Sequence, residues 1–468
     1  MLGMPRPTAL ALFVVLSCAR FAAAQYAPSP FDAEHREIFR ELIEINTSPE
    51  GGSVAPAAQA VARRLAAAGF PAADLETPGP NASCVNVVAT LRGRDAAARP
   101  VLLLAHLDVV PARRADWEFD PYVLREEKGW FFGRGTLDNK AGASDLVANM
   151  VRWKRESFMP SRDMIMVLTC DEETTAEAGM QWLLRERPRL RSADYALNSD
   201  AGGVERKQSG RVAFYVQAAE KAYVTFALTA KNEGGHSSVP RTDNAIYALA
   251  AALGRLAGHR FPVQYNPVTQ ASFARTAVLE SGPIAEDLAA AGRGLTSGAA
   301  IDRLSAIPYL NSDLRTTCVA TMLSGGHAEN ALPQSATATV NCRVFPGVPE
   351  AEVKRVLESV VADPTITVSA VYPLTASPAS PLRDDILPTI ERVADAFWKG
   401  ATVVPGQSAG ATDGLYLRNA GVPVFGVSAI EIPPEEERAH GLNERVPVRS
   451  LYESREYWYA LVKALLGR

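Results

Sequence analysis

Six histidines in 468 residues leave this chain little material for an imidazole site, so each one counts. Other things are scarce as well. No Lys/Arg run stands out and the formal net charge is -4, which excludes nucleic acid as an expected partner. No apolar stretch is long enough for a stable transmembrane span. The five cysteines include no CxxC pair, so no zinc-ribbon pattern and no disulfide framework is expected. Gly and Pro are scattered rather than clustered, and neither a repeat nor a low-complexity linker interrupts the chain. What remains is a globular polypeptide, 47% hydrophobic and too long for one ordinary domain.

The first residues read differently. Arg6 precedes an apolar stretch from Thr8 to Ser17, and Ala22-Ala23-Ala24 offers a small-residue cut before Gln25. That is the layout of a secretory signal peptide. Residues 1–24 are therefore expected to be removed near Ala24, giving a secreted or periplasmic protein. The alternative is lipid attachment at Cys18, because Val15-Leu16-Ser17-Cys18 resembles a bacterial lipobox. Cleavage leaves Cys84, Cys170, Cys318 and Cys342. Cys170 and Cys342 lie in or at the end of apolar strand-like runs and are expected to behave as small buried hydrophobes. Cys84 and Cys318 stay open as disulfide partners.

Strands and helices alternate through the first half. Helical periodicity covers 33–45 and 55–68, strands 85–91 and 101–105, then a helix from Lys140, a strand at 164–169, a helix at 176–187 and a strand near 195–198. This rhythm implies an α/β layered sheet. The middle changes character: 212–218, 223–230 and 336–344 alternate like antiparallel strands, with a helix at 243–256. The stretch 260–325 is punctuated by Gly and Ser and is weakly helical. The α/β rhythm returns after about Gly347. The expected architecture is an α/β catalytic domain formed by 25–217 and 346–468, with a smaller α+β module inserted at 218–345.

Several short segments carry chemistry. In VLLLAHLD, His106 and Asp108 are two apart on an extended segment and point to one side, at the carboxyl end of a buried strand. A carboxylate there can accept the second imidazole N–H and raise ligand basicity. In GRGTLDNKAG, Asp138 is presented just before a helix, where its two oxygens can bridge two cations. In VLTCDEETTAEAG, three acids directly follow an apolar strand, which is costly unless cations or protons neutralise them. That segment allows a division of labour, with Glu173 binding metal and Glu172 moving protons. Asp200 in ALNSDAGG again follows a strand, and His440 in RAHGLNERV could supply a last nitrogen ligand. Taken singly, each has a plainer reading: a structural histidine, a helix-capping aspartate, a solvated acidic loop, an exposed histidine. The remaining histidines, His35, His259 and His327, lack ligand neighbours and read as structural or exposed.

Together these segments resemble the co-catalytic zinc peptidase and aminoacylase family, which includes glutamate carboxypeptidase, carboxypeptidase S and aminoacylase. HLDVVPA, a Trp117 segment and GRGTLDNK look most like the carboxypeptidase S branch. The resemblance implies a mixed-sheet catalytic domain with an inserted lid and dimerisation domain, a homodimer, and two Zn2+ per subunit, with Co2+ or Mn2+ as substitutes. It implies that His106 and Asp200 hold one zinc and Glu173 and His440 the other, with Asp138 bridging. Asp108 would orient His106, Glu172 would be the general base, and the Asp138–Asn139 peptide would be cis. Many members carry Glu near position 200, where this chain has Ser199-Asp200. In the module, His236 of GGHSSVP would steady the oxyanion, often across a dimer. Asn330 of HAENALP, Arg343 of NCRVFPG, and Thr412 and Asp413 of GATDG would contact substrate. The expected activity is hydrolysis of an amide in short peptides or N-acyl amino acids, releasing a C-terminal amino acid, with dipeptidase or deacylase activity as the alternative. An inactive zinc-binding scaffold is the reading from a different class, but no expected ligand, bridge or base is missing.

Overall fold

The computed structural model of the chain describes residues 28–207 and 209–467. The expected signal peptide, with Cys18, lies outside the described residues. No helix among the described residues is long and apolar enough to cross a membrane.

The strands of the two larger sheets, in chain order, begin with β1 (Leu75–Glu76), β2 (Val87–Leu91), β3 (Val101–His106), β4 (Met164–Thr169), β5 (Tyr195–Arg206) and β6 (Val212–Glu220). They are followed by β7 (Ala222–Lys231), β8 (Thr317–Gly325), β9 (Ser335–Val344), β10 (Ile366–Ala370), β11 (Thr402–Ser408) and β12 (Val424–Glu431). An eight-stranded sheet runs in the order β1-β2-β4-β3-β5-β12-β6-β11. It is mixed: β3 pairs parallel with β4 and β5, while β2 runs antiparallel to β4.

Pleating explains how β3 serves two layers. Val101, Leu103 and Ala105 belong to one apolar cluster, with α1 (Asp32–Glu44), α2 (Ala55–Ala67) and α3 (Lys140–Arg155). Leu102 and Leu104 belong to another, with α4 (Met180–Glu186) on the opposite face. Alternate side chains of an extended strand point to opposite faces, so a continuous apolar run is what a doubly covered strand requires. The sheet places its parallel strand ends, and with them His106 and the loop after Thr169, at one rim.

The second sheet is antiparallel, in the order β8-β9-β7-β10. It is packed by α5 (Ala245–Gly258) and, later in the chain, by a helix at Glu350–Val361, through Leu249, Leu357 and Val361. The sheet thus draws on residues as far as 370, beyond 345. Its last strand pairs with β7, a long-range partner that local periodicity does not reveal. The stretch 260–325, expected to be weakly helical, holds four helices, α6 (Pro267–Ala277), α7 (Pro283–Gly292), α8 (Ala299–Ser305) and α9 (Pro308–Leu314), and ends in the strand β8 instead of a helix. They share a small core around Phe273, Leu288 and Leu304. Val268 of α6 joins the core of the large sheet, and Asn266 donates to Gln407 of β11 at 2.8 Å. This subdomain therefore braces the outer edge of the catalytic sheet.

The cysteines correct an expectation. Cys84 is bonded to Cys170 and Cys318 to Cys342. Cys318 and Cys342 face each other in the register of β8 and β9, and the pairing of β2 with β4 brings Cys84 beside Cys170. Both bonds depend on strand pairing rather than on spacing in the sequence. The first ties down the residue immediately before Asp171.

Lys221 sits where the chain passes from one sheet to the other. Its ammonium is buried and donates to the carbonyls of Ser312 and Arg315 at 3.0 and 2.9 Å. Burial lowers it to about 8, and burial pushes the nearby Asp313 carboxyl up to about 7, against the pull of the Lys221 charge. From its ordinary value up to that raised one, Asp313 is ionised in the unfolded chain and protonated in the folded one. Stability therefore falls as pH rises through that window. Asp313→Asn should remove this decline, gaining about 2 kcal/mol over the wild type at pH 8 relative to pH 4 after discounting for partial solvent access. Thermal unfolding at both pH values checks it; equal slopes in the two proteins would mean Asp313 stays ionised in the fold.

Candidate metal centre

His106 ends β3, and its ring is buried. Nδ1 lies 3.0 Å from the backbone carbonyl of Asp108, an arrangement that places a proton on Nδ1 and leaves Nε2 free as a ligand. Nε2 stands 2.9 Å from Asp138 Oδ1 and 3.3 Å from Asp200 Oδ1. On the other side, His440 Nε2 is 3.0 Å from Asp138 Oδ2 and 2.9 Å from Glu173 Oε2. The two carboxylate oxygens of Asp138 thus face two imidazoles from distant parts of the chain. The expected cis peptide between Asp138 and Asn139 is present.

Asp108 does something other than expected. Its carboxylate stands 3.6 Å from His106 Nδ1, longer than an ordinary hydrogen bond. Instead it accepts the backbone N–H groups of Glu172 and Glu173 at 3.2 and 2.9 Å. It orients the imidazole through its main chain and the acidic loop through its side chain.

The fit to divalent cations can be judged from the donors. Ligand atoms of His106, Asp138 and Asp200 lie within 4.8 Å of one another, as do those of Asp138, Glu173 and His440. Two clusters of one imidazole with carboxylates, sharing one acid, suit a pair of zinc-like ions. The electrostatics agree. Burial pushes Asp200 up to about 7, helped by the charges of Asp138 and Glu173. Against burial, hydrogen bonds from His106 and His440 hold Asp138 below the usual carboxylate range. Hydrogen bonds to Asp138 and Glu173 raise His440 to about 10. Protons on the imidazoles hold the acids together here, and cations would do so more strongly. Glu172 touches neither cluster's ligand set. Burial, then the Asp200 charge, push its carboxyl well above the ordinary range, which favours its holding a proton.

A residue the motifs did not point to holds the centre together. Glu444 is fully buried and accepts N–H groups from Gly135, Leu137 and Asp138 at 3.0, 2.7 and 3.0 Å. It also pairs with Arg134 at 2.6 Å, whose guanidinium reaches the carbonyls of His440 and Gly441 at 3.3 and 3.2 Å. His440 has a φ of 62°, uncommon for a residue with a side chain, and these contacts help hold it there. Its sequence context, Asn443-Glu444-Arg445, reads as surface; only the folded chain buries it.

A cavity of about 1340 Å³ opens over the centre, lined by Glu172, Tyr223, Arg343, Tyr372 and Gln407 among others. Arg343 lies over the Tyr223 ring at 4.9 Å. Thr412 and Asp413 also line it, but their side chains are engaged. Thr412 donates to Glu220 at 2.6 Å, and Asp413 accepts from Thr169 at 2.5 Å. They stiffen the wall, and Asp413 Oδ1 stays buried without a hydrogen-bond partner among the described residues. His236 and Asn330 lie together on a short exposed ribbon, where Ser237 N–H donates to the Asn330 carbonyl at 3.0 Å. Neither lines the cavity.

A shared-carboxylate pair of clusters at the rim of a mixed α/β sheet, with a free buried glutamate beside it, defines a co-catalytic metallohydrolase. The chain belongs to peptidase family M20/M25/M40, whose profile matches residues 102–464. It is 29% identical over 381 residues to N-fatty-acyl-amino acid synthase/hydrolase PM20D1 of Xenopus tropicalis, covering 80% of this chain and 74% of that protein. It is 25% identical over 454 residues to aminoacylase-1A of Rattus norvegicus, covering 93% and 96%. Its fold is similar to that of the M20 family metallo-carboxypeptidase Sso-CP2 of Sulfolobus solfataricus, with a TM-score of 0.70 at 16% identity, covering 92% and 99%.

Proposed function

We propose that this protein is a secreted, homodimeric two-zinc hydrolase that cleaves an amide adjacent to a free carboxylate, in N-acyl amino acids or short peptides. The observation that carries the reading is Asp138, with one oxygen toward His106 and the other toward His440. His106 and Asp200 would hold one cation, Glu173 and His440 the other, and Asp138 both. When bound, the pair supplies Lewis acidity toward the amide carbonyl and acidifies water. The chain's own groups do the rest. Glu172 takes a proton from the attacking water and returns it to the leaving amine, so that the C–N bond breaks and the water oxygen stays with the acyl product. Arg343 suits the substrate carboxylate, which a guanidinium can bind through two parallel hydrogen bonds. Export fits the two disulfides, which persist in oxidising compartments. Assay of a panel of dipeptides and N-acyl amino acids, before and after chelation, tests the reading. Turnover should vanish with the metal and return with Zn2+; turnover that survives metal removal would sink it.

The homodimer reading draws on the outer strand of the small sheet. Among the described residues one edge of β8 has no partner strand, and Val319, Met322 and Leu323 on it are 58%, 70% and 69% exposed. Tyr247 of α5 is exposed as well. Apolar edges of this kind aggregate unless covered, and a two-fold partner covers them with the same surface. A second copy could then carry its His236 toward this cavity, as an oxyanion donor. Met322→Asp should shift the species in light scattering from dimer to monomer and lower kcat by on the order of 100-fold, the cost of one oxyanion donor. A fully active monomer would remove His236 from the mechanism.

A further inference from the structure

β5 carries Asp200 to the rim, but the sheet does not fix it there. The ladder between β5 and β12 pairs Asn198 with Gly426 and resumes with Gly202 opposite Ser428, so Ser199, Asp200 and Ala201 bulge against Val427 alone. On the other edge the pairing of β5 with β3 ends at Asn198. A bulge re-aims side chains and takes its residues out of the regular register. An aspartate carries its carboxylate on a single methylene, so the ligand oxygen goes where this backbone goes.

A side chain takes the Asp200 N–H instead. It donates to Asn198 Oδ1 at 3.1 Å. Asn198 Nδ2 donates to Thr412 Oγ1 at 3.2 Å, and the Thr412 hydroxyl donates to Glu220 Oε1 at 2.6 Å. Glu220 Oε2 pairs at 2.6 Å with Nη2 of Arg418, on a short helix at Gly414–Asn419. Asn198, Glu220, Thr412 and Arg418 are all buried. The charged end dictates the order of donors. A carboxylate facing a guanidinium accepts, so the single Thr412 proton points at Glu220. The Thr412 oxygen is left to receive, and it takes the Gly414 N–H at 3.1 Å as well as Asn198 Nδ2. With its nitrogen committed there, the asparagine turns its carbonyl oxygen toward Asp200.

We propose that Arg418, Glu220, Thr412 and Asn198 are positioning residues for the metal centre, a buried strut that fixes the backbone at Asp200 and so sets the affinity of the ion held by His106 and Asp200. The inference rests on the two-cation reading above and says what governs one of its two sites. It also gives Thr412 a role that needs no contact with substrate.

The test is calorimetric titration of the metal-free protein with Zn2+. Thr412→Val keeps the shape of the side chain and removes the hydroxyl, cutting the strut in its middle. It should weaken one of the two ions by on the order of 10- to 100-fold, the usual cost of losing a partner behind a metal ligand, and leave the other unchanged. Thr412→Ser should restore both. Asn198→Ala removes the last link without touching the Glu220–Arg418 pair, and it should weaken the same ion. A double-mutant cycle identifies that ion: in Asp200→Asn, already impaired at its cluster, Thr412→Val should add nothing. Because both ions are titrated in one preparation, an unfolded fraction does not mimic the loss of one. Unchanged affinities in Thr412→Val and Asn198→Ala would overturn the strut. The segment would then be held by the Ser199 hydroxyl, which lies 3.0 Å from both the Leu104 carbonyl and Asn139 Oδ1. Equal weakening of both ions would overturn it too, as would a Thr412→Ser variant as impaired as Thr412→Val. In each of these cases the two-cation reading stands. A wild type that binds no pair of Zn2+ ions would overturn both.

Discussion

Glu172→Gln should lower kcat by on the order of 10²- to 10⁴-fold while two metal ions remain bound, the range expected for loss of a general base. The substitution keeps shape and volume and removes only the capacity to carry a proton. The loop would hold its place, because the contact that fixes it is the Glu172 N–H on the Asp108 carboxylate, which glutamine retains. The metal should stay because Glu172 belongs to neither ligand cluster. Elemental analysis alongside single-turnover kinetics separates the outcomes. Metal loss would make Glu172 a ligand, and activity within tenfold of wild type would make another group the base. Asp413 is the group to examine next in that event, since burial pushes its carboxyl up to about 7, its Oδ1 has no hydrogen-bond partner among the described residues and it lines the same cavity.

How much of this centre could be read before folding depends on the range of the contacts involved. His106 ends β3, Asp138 precedes α3, Glu173 follows β4, and Asp200 lies within β5, which runs on past the expected strand end near 198. In a sheet with parallel strands, the ends of such elements converge on one rim, so local patterns suffice to suggest a common site. The strands of the small sheet show as alternating patterns, but the membership of Ile366–Ala370 in that sheet depends on pairing with β7 across more than a hundred residues. The disulfides were hidden for the same reason. Cys318 and Cys342 look unrelated until β8 and β9 are in register. The helices at 267–314 follow a plain amphipathic logic, but short helices broken by Gly and Pro give a weak periodic signal and gain their stability from the sheet edge they cover. Asp108 was legible as a partner of the centre, while the division between its carbonyl and its carboxylate was not.

Glu444→Ala should be the most disruptive single change away from the metal ligands. The buried carboxylate receives three backbone N–H groups of the segment that presents Asp138, and pairs with Arg134, which in turn holds the carbonyls of the His440 loop. Removing it leaves three N–H groups unpaired in the interior and the Arg134 charge without its carboxylate. Breaking a buried pair in this way costs about 3–5 kcal/mol, a large share of the stability of most folds. The damage should be uneven. His106 and Asp200 are set by β3 and β5 and do not lean on Glu444, whereas Asp138 and His440 both do. The variant should therefore lose the ion at the Glu173–His440 cluster first, retaining about one metal per chain, with a thermal midpoint lowered by several degrees. Glu444→Gln should be milder, since the amide oxygen still accepts while the amide nitrogen opposes a donor. Metal titration of both variants, followed by calorimetry, decides it. If Glu444→Ala binds two ions with wild-type affinity, Arg134 and the backbone alone suffice to position His440, and the buried carboxylate has no part in assembling the centre.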